Sequence, residues 1–184
     1  NPLESDGVTP FNYGKTGRSP WFQTACCPSN LARLLPQVSG MMYAHTSNEI
    51  YATLYASSST SIALKSGNVT INQQSNYPFD DKTTFIFTTE KDQMFALKLR
   101  IPTWATTQFV PGALYNYIGK TFENWSIKVN GKAVTTSLEN GFAVIDRLWK
   151  SGDKVEMLLP MPVRFNSAID AVKANSNRVA ITKG

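Results

Sequence analysis

The sequence predicts a mainly β protein: a jelly-roll-like β-sandwich preceded by a loop and one short helix. From residue 41 onward, short segments alternate apolar and polar side chains with a period of two, which is typical of strands with one buried face. Polar turns separate these segments. Before them, residues 28–38 show helical spacing, whereas residues 1–24 show no sustained period and should form a loop.

The predicted helix is short and mostly apolar. Its apolar side chains recur at helical spacing: Leu31, Leu34, Leu35 and Val38. Pro28 suits the first helical position, because the N–H that proline lacks would have no partner there. Pro36 should shorten or kink the helix, and Gly40 should end it. In a small sheet protein this helix has little to pack against, so we expect it to be poorly buried.

Alternation predicts strands at residues 50–55, 61–64, 69–72, 84–89, 95–101, 125–129, 142–146, 155–159 and 178–182, with a short return strand near residue 133. Asn130-Gly131 is a preferred pair for a two-residue hairpin turn. Pro160 and Pro162 should end the strand before them or place it at a sheet edge. Residues 102–124 contain several aromatic residues and two prolines, and should form a long irregular loop.

Composition argues against several classes of function. The net charge is +5, yet the 18 Lys and Arg residues are scattered singly, so we expect no nucleic-acid partner. Every apolar run is far shorter than the ~20 residues that a membrane-spanning helix needs. The single His45 cannot by itself build a histidine-rich metal site, and no glycine-rich phosphate loop occurs.

Cys26 and Cys27 are the only cysteines, and they stand directly before the predicted helix. A helix N-terminus favours an anion and can lower the pKa of a thiol. The residues alone support three interpretations: buried small apolar side chains, ligands of a zinc site, or one nucleophile. A disulfide between them is disfavoured, because a trans peptide holds neighbouring Cα atoms ~3.8 Å apart, below the usual disulfide range.

The carboxylates offer no obvious glycosidase pair. Asp80 and Asp81 fall in a predicted loop, while Asp146 and Asp153 look like turn or strand-end residues. Each is therefore interpreted as structural. Among the aromatic residues of the predicted 102–124 loop, Trp104, Tyr115 and Tyr117 could form a platform on which a sugar stacks, or could cover a sheet edge.

The motifs add a resemblance to a known family. The segment NPLES, followed by RSPWFQTACCPSNLARLLPQVSG, resembles the end of the catalytic domain in glycoside hydrolase family 127 and its relative family 146, the β-L-arabinofuranosidase group first catalogued as a domain of unknown function. Four later segments resemble the β-sandwich of the same proteins in the same order: LKLRIPTWA, IKVNGKAV, GFAVIDRLWKSGDKVEMLLPMPVR and NRVAITKG.

The resemblance implies a zinc-thiolate site. In that family an (α/α)6 barrel carries a zinc ion held by a glutamate and three cysteines, and a separate glutamate is the acid/base. The first cysteine of the pair is also the nucleophile of a retaining mechanism. By resemblance, Cys26 is the nucleophile and Cys26 and Cys27 are zinc ligands. The other ligands and the acid/base are expected before Asn1.

The resemblance also implies a domain organisation. Residues 1–43 would be a remnant of the catalytic barrel, so that the short helix is its last piece. Residues 44–184 would be the β-sandwich, truncated at its C-terminus. The exposed helix is then a candidate surface for self-association.

Two functions are expected to compete. In the first, the chain is a fragment of a zinc-dependent retaining hydrolase whose intact parent acts on a glycan containing L-arabinofuranose. The fragment itself would be inactive and would bind no zinc tightly. In the second, the chain is a non-catalytic carbohydrate-binding or structural module that uses Trp104, Tyr115 or Tyr117.

Overall fold

The computed structural model describes residues 26–119 and 123–184, so the predicted loop over residues 1–24 lies outside the described residues. The chain divides into two units, Asn1–Ser39 and Gly40–Gly184. Helix α1 spans Cys26–Gln37 in the first unit, and the 3-10 turn that follows it, Val38–Met41, crosses the boundary between the units. The predicted helix is therefore present, but Gly40 lies inside the 3-10 turn. None of the residues of α1 is buried.

The described part of the second unit forms fourteen strands, which are β1 Tyr43–His45, β2 Glu49–Ala52, β3 Ser58–Leu64, β4 Gly67–Ser75, β5 Lys82–Thr89, β6 Gln93–Arg100, β7 Tyr115–Ile118, β8 Ser126–Val129, β9 Lys132–Ala133, β10 Leu138–Glu139, β11 Phe142–Trp149, β12 Lys154–Leu158, β13 Val163–Ala168 and β14 Ala180–Lys183. They build three sheets. No described helix is long and apolar enough to cross a membrane.

Two large sheets form the predicted sandwich. One has the order β1-β2-β6-β11-β10, and the other has the order β3-β4-β5-β12-β8-β9. Most neighbouring strands are antiparallel, but β2 and β6 run parallel. Along β6 and β12 buried and exposed or half-buried residues alternate, because successive side chains point to opposite faces.

One hydrophobic core fills the space between these sheets, with members from strands of both. Phe95 and Trp149 come from the first sheet, while Phe85 and Phe87 come from the second, and all four are at most 1% exposed. The rings of Phe95 and Trp149 stack with centroids 5.3 Å apart, and the Phe87 ring lies 4.9 Å from Trp149. These large rings hold the two layers together.

The Asn130-Gly131 pair makes the predicted hairpin turn between β8 and β9. Both residues have positive φ angles, 50° and 78°, as a type I′ turn requires. The Asn130 side chain also ties this turn to the next one. Its Nδ2 donates to Asp153 Oδ1 at 2.7 Å, and its Oδ1 accepts from the Lys154 N–H at 2.8 Å.

The third sheet, ordered β14-β13-β7, differs from the sequence prediction. Residues 102–124 were expected to form one irregular loop, but they contain β7, which pairs with β13. The reason is that Tyr115-Asn-Tyr-Ile118 alternates between two faces even within a Gly- and Pro-rich stretch. Strand β13 was also missed, because Pro160 and Pro162 precede it and interrupt the pattern.

The two faces of this third sheet have opposite characters. Register places Ile118, Phe165 and Ile181 beside one another, and they are 47%, 47% and 66% exposed. On the other face, Arg164 and Asn166 of β13 are buried. Arg164 and Asn166 of β13 are thus enclosed, while Val163 and Phe165 of the same strand face outward.

Candidate functional site

The thiol pair lies at the first two residues of α1. Both cysteines are free and exposed, so the interpretation as buried apolar side chains is wrong for this chain. Their Sγ atoms are 3.6 Å apart, well beyond the ~2.05 Å of a disulfide bond. Both sulfurs are therefore available as nucleophiles or ligands.

The local geometry follows from the start of the helix. The sequence predicted Pro28 at the first position of the helix. Cys26 and Cys27 are already helical, however, so Pro28 occupies the third position of α1. Proline is tolerated there because the first four N–H groups of a helix have no intrahelical acceptor. The Ser29 hydroxyl donates to the Cys26 carbonyl at 3.0 Å. The two thiols thus stand on consecutive residues of the first helical turn.

The interaction between the two thiols raises a thiol pKa, whereas the helix N-terminus was expected to lower it. The pKa of the Cys27 thiol is raised above its usual value, first by its hydrogen bond with Cys26 and then by the charge of that neighbour. Two thiolates 3.6 Å apart would repel each other. An adjacent cation would relieve this repulsion and favour the deprotonated pair.

The spacing of the sulfurs fits half of a zinc site. Two thiolates bound to one tetrahedral zinc ion at about 2.3 Å each lie about 3.8 Å apart, close to the observed 3.6 Å. A closed site needs about four ligands. Within residues 26–119 and 123–184, no group of three or more His, Cys, Asp and Glu side chains is placed to hold a metal ion. The pair has the ligand type and spacing of two of the four positions, and a closed zinc site built on it would need ligands beyond the described residues.

The carboxylates singled out in the sequence lie in separate places. Asp80 and Asp81 adjoin each other before β5, where burial and then the neighbouring Asp80 raise the pKa of Asp81. Asp146 is exposed within β11 rather than at a strand end, since β11 continues to Trp149. Asp153 is buried in a turn. Burial opposes its ionised form, but hydrogen bonds from Asn130 and the Lys150 N–H outweigh this and lower its pKa.

The three aromatic residues proposed for sugar contact lie around the third sheet. Trp104 stacks on Tyr77, with ring centroids 6.2 Å apart, and packs against the core. Tyr115 and Tyr117 lie in β7 and alternate with exposed residues. The Tyr117 hydroxyl donates to the Trp104 carbonyl at 3.4 Å. The structure therefore brings Trp104 and Tyr117 together, but as packed side chains and not as an open platform.

Arg164 and Phe109 organise this cluster, and sequence reasoning missed both. The Arg164 guanidinium lies 4.6 Å from the Tyr117 ring centroid, and its Nη1 donates to the Trp104 carbonyl at 2.6 Å. The Phe109 ring contacts Tyr115 and Tyr117 edge-on, at 6.4 and 5.9 Å. A signal was present, because Arg164 and Asn166 alternate with the apolar residues Val163 and Phe165.

A family model described as the middle domain of GH127 β-L-arabinofuranosidases matches residues 49–161, which span β2 to β12. The chain belongs to the GH127 family. The match covers the strands of both large sheets except β1, while β13 and β14 of the third sheet follow it. The predicted division at residues 43 and 44 into barrel remnant and sandwich stays a prediction.

Individual GH127 relatives agree with the family match. A non-reducing end β-L-arabinofuranosidase of Bifidobacterium longum subsp. longum is 28% identical over 91% of this chain. The solved structure of a GH127 β-arabinofuranosidase is 35% identical over 91% of this chain, with a TM-score of 0.86. A GH127 β-L-arabinofuranosidase from Geobacillus stearothermophilus T6 is 32% identical over 94% of this chain, with a TM-score of 0.78.

The chain spans about a quarter of these relatives, covering 23%, 26% and 25% of their respective lengths. The relatives thus contain much sequence that has no counterpart here. Residues that complete a site around the thiol pair would have room in that sequence.

Proposed function

We propose that this chain is part of a retaining β-L-arabinofuranosidase in which Cys26 is the nucleophile. Cys26 and Cys27 would be two of its zinc ligands. The observation that carries the proposal is the pair of free, exposed thiols 3.6 Å apart in a chain of the GH127 family. The names of the relatives point to an L-arabinofuranose-containing glycan as the substrate of the parent.

In the proposed reaction the Cys26 thiolate attacks the anomeric carbon of the arabinofuranosyl unit. The bond from that carbon to the leaving oxygen breaks, and this oxygen takes a proton from a carboxylic acid outside the described residues. Water then attacks the same carbon and gives a proton to the resulting carboxylate, while the carbon–sulfur bond breaks and the thiolate returns. Two displacements at one carbon retain its configuration.

Cys26 and Cys27 would hold the metal through their Sγ atoms. Zinc, when bound, keeps thiolates deprotonated at neutral pH and makes a thiolate a better leaving group. Without it, the raised pKa of the Cys27 thiol disfavours the doubly deprotonated pair. Two thiols are also too few ligands for a closed zinc site, so the chain alone is proposed to bind no zinc tightly and to be inactive.

Activity and zinc content should be measured together in residues 1–184 and in the longer parent protein, with an aryl β-L-arabinofuranoside as substrate. We expect turnover and about one zinc per molecule in the parent, as a single three- or four-ligand site requires, and neither in the shorter chain. Turnover or stoichiometric zinc in the shorter chain would contradict the proposed division of the site. An inactive, zinc-loaded parent would contradict the proposed reaction.

The alternative, a non-catalytic carbohydrate-binding module, has weaker support from the residues first chosen for it. One ring face of Trp104 is covered by Tyr77, and one face of Tyr117 is covered by Arg164. Tyr115 differs from both, because it lines a cavity.

A further inference from the structure

A cavity of about 260 Å³ opens beside the third sheet. Its walls come from the connection before β7, from β7 and β13, and from the segment that leads into β14. The side chains that matter to its chemistry are Phe109, Tyr115, Asn166, Asn175 and Arg178. Pockets for drug-sized ligands are typically ~300–1,000 Å³, so this volume suits one small ring.

The aromatic part of the cavity wall combines a flat apolar surface with a polar group. The rings of Tyr115 and Phe109 meet edge-on, 6.4 Å apart, which fixes the orientation of the tyrosine. Asn175 Nδ2 donates to the Tyr115 hydroxyl at 3.4 Å, so the proton of that hydroxyl remains available for donation. Such a side chain can contact the apolar face of a sugar ring and also bind one of its hydroxyls.

Asn166 provides a buried polar group that is only partly satisfied. It is 2% exposed, and its Nδ2 donates to Thr182 Oγ1 at 2.9 Å. Its Oδ1 has no hydrogen-bond partner among the described residues. A buried acceptor without a partner costs free energy, so a ligand whose donor reaches Oδ1 through the cavity that Asn166 lines gains affinity. A hydroxyl can satisfy either atom of the amide, because it both donates and accepts.

Arg178 brings unused donors to the same cavity. It is exposed, and only its backbone N–H forms a hydrogen bond, to the Asn175 carbonyl, among the contacts of the described residues. Its guanidinium carries five donors in a planar fork, which can bind two neighbouring hydroxyls of one ring. The other polar side chains of the wall are neutral, which favours a neutral ligand rich in hydroxyls over a polyanion.

We propose that this cavity is a binding subsite for one ring of a neutral oligosaccharide. Tyr115 would contact the ring, while Asn166 and Arg178 would bind its hydroxyls. The subsite goes beyond the proposed hydrolase activity and uses neither cysteine. It would give the sandwich a substrate-holding role of its own.

The test is a titration of residues 1–184 with arabinotriose and with cellotriose, in which ligand-observed NMR and calorimetry measure binding. We expect at least one of these neutral probes to bind. Arg178→Ala should weaken its affinity by about tenfold or more, as expected for the loss of a charged donor. Lys173→Ala is the matched control, because it removes one exposed cation from the same segment without touching the cavity wall. It should change affinity by less than about twofold.

A second pair of variants keeps the test independent of Arg178. Asn166→Ala removes the unpartnered acceptor and should also weaken binding by about tenfold. Thr182→Val breaks the same Asn166–Thr182 hydrogen bond but leaves the acceptor, so it should retain binding. Thermal unfolding checks that each variant is folded. The proposal is overturned if neither probe binds to the folded chain, or if binding survives both Arg178→Ala and Asn166→Ala.

The cysteines separate this proposal from the hydrolase proposal. A Cys26→Ala, Cys27→Ala double variant should bind the probe as well as the unmodified chain does. Loss of binding in this variant would place the subsite at the thiols and overturn the inference, whatever the activity of the parent.

Discussion

At the residue scale, Trp149 both packs in the core and forms a buried hydrogen bond. It is fully buried, and its Nε1 donates to the Phe95 carbonyl at 2.9 Å. This pairing matters because Phe95 lies on β6, which is next to β11, so the hydrogen bond connects neighbouring strands beneath the core. A buried indole N–H without such a partner would be costly.

Trp149→Phe should therefore lower the free energy of unfolding by about 2–4 kcal/mol, since it removes both volume and a buried hydrogen bond. Urea denaturation measures the change. Trp125→Phe is the control, because Trp125 is only partly buried against the core and has no side-chain hydrogen bond among the described contacts. Equal losses in both variants would contradict a special role for the Trp149 N–H.

Glu156 should make the stability of the fold depend on pH. Its carboxylate lies 2.6 Å from Lys82 Nζ and 3.0 Å from Lys154 Nζ. Lys82 first and Lys154 second lower its pKa from 4.5 to about 2. A carboxyl group whose pKa is lower in the folded than in the unfolded state contributes its full stabilisation at pH values above the unfolded-state pKa. This contribution is lost as the pH falls through the folded-state pKa.

Glu156→Gln should consequently flatten the loss of stability between pH 4.5 and about 2. The measurement is the unfolding midpoint as a function of pH at low salt, where ion pairs are screened least. Glu90→Gln is the control, because Glu90 is exposed and forms no ion pair among the described residues. A steeper acid transition in Glu156→Gln than in the unmodified chain would contradict the assignment.

At the element scale, the sequence predicted strands where alternation was long enough to show a buried face. Strands β4 and β6 meet that condition, and both sheets of the sandwich were anticipated. Strands β1 and β10 were missed because they are three and two residues long. Strand β7 depends on pairing with β13, a contact between segments far apart in the chain, which a local pattern does not show.

The candidate site residues were likewise only partly predictable from the sequence. The motif around Cys26 and Cys27 identified the thiols, and the structure shows them free and exposed. The sequence did not predict the cavity at Tyr115, because its chemistry depends on Asn166 and Arg178. These residues belong to other segments and meet only in the folded sheet.

Helix α1 has little packing against other described residues. None of its residues is buried, and Leu31 and Leu35 are 59% and 70% exposed. A helix of twelve residues is marginal in water without packing. Its amides should exchange hydrogen at least about 100-fold faster than those of β11, as is typical of locally opening elements.

Hydrogen exchange at two protein concentrations tests this expectation and the predicted self-association together. Slower exchange in α1 at the higher concentration, with β11 unchanged, would support self-association through the helix. Leu35→Glu is the matching variant and should abolish that dependence. Protection of α1 equal to that of β11 at the lower concentration would contradict the expectation.

At the scale of the whole molecule, each of the two units carries one candidate site. The thiols belong to the first unit, while the sandwich and the cavity belong to the second. The two large sheets enclose a hydrophobic core, whereas among the described residues no further His, Cys, Asp or Glu side chains join the thiols in a group that could hold a metal ion. The sandwich should therefore fold without zinc, and the proposed catalytic site should depend on the longer protein.

Single cysteine variants of the longer parent distinguish the two proposed roles. Cys26→Ala removes both the nucleophile and a ligand, and should lower kcat by at least about 10³-fold with no pentosyl adduct on the protein. Cys27→Ala keeps the nucleophile and should mainly lower zinc content, so that excess zinc restores part of the activity. Intact mass after reaction with a slow substrate detects the adduct, and metal analysis measures the zinc. An adduct that persists in Cys26→Ala would move the nucleophile to another residue, and full zinc content in Cys27→Ala would remove that thiol from the metal site.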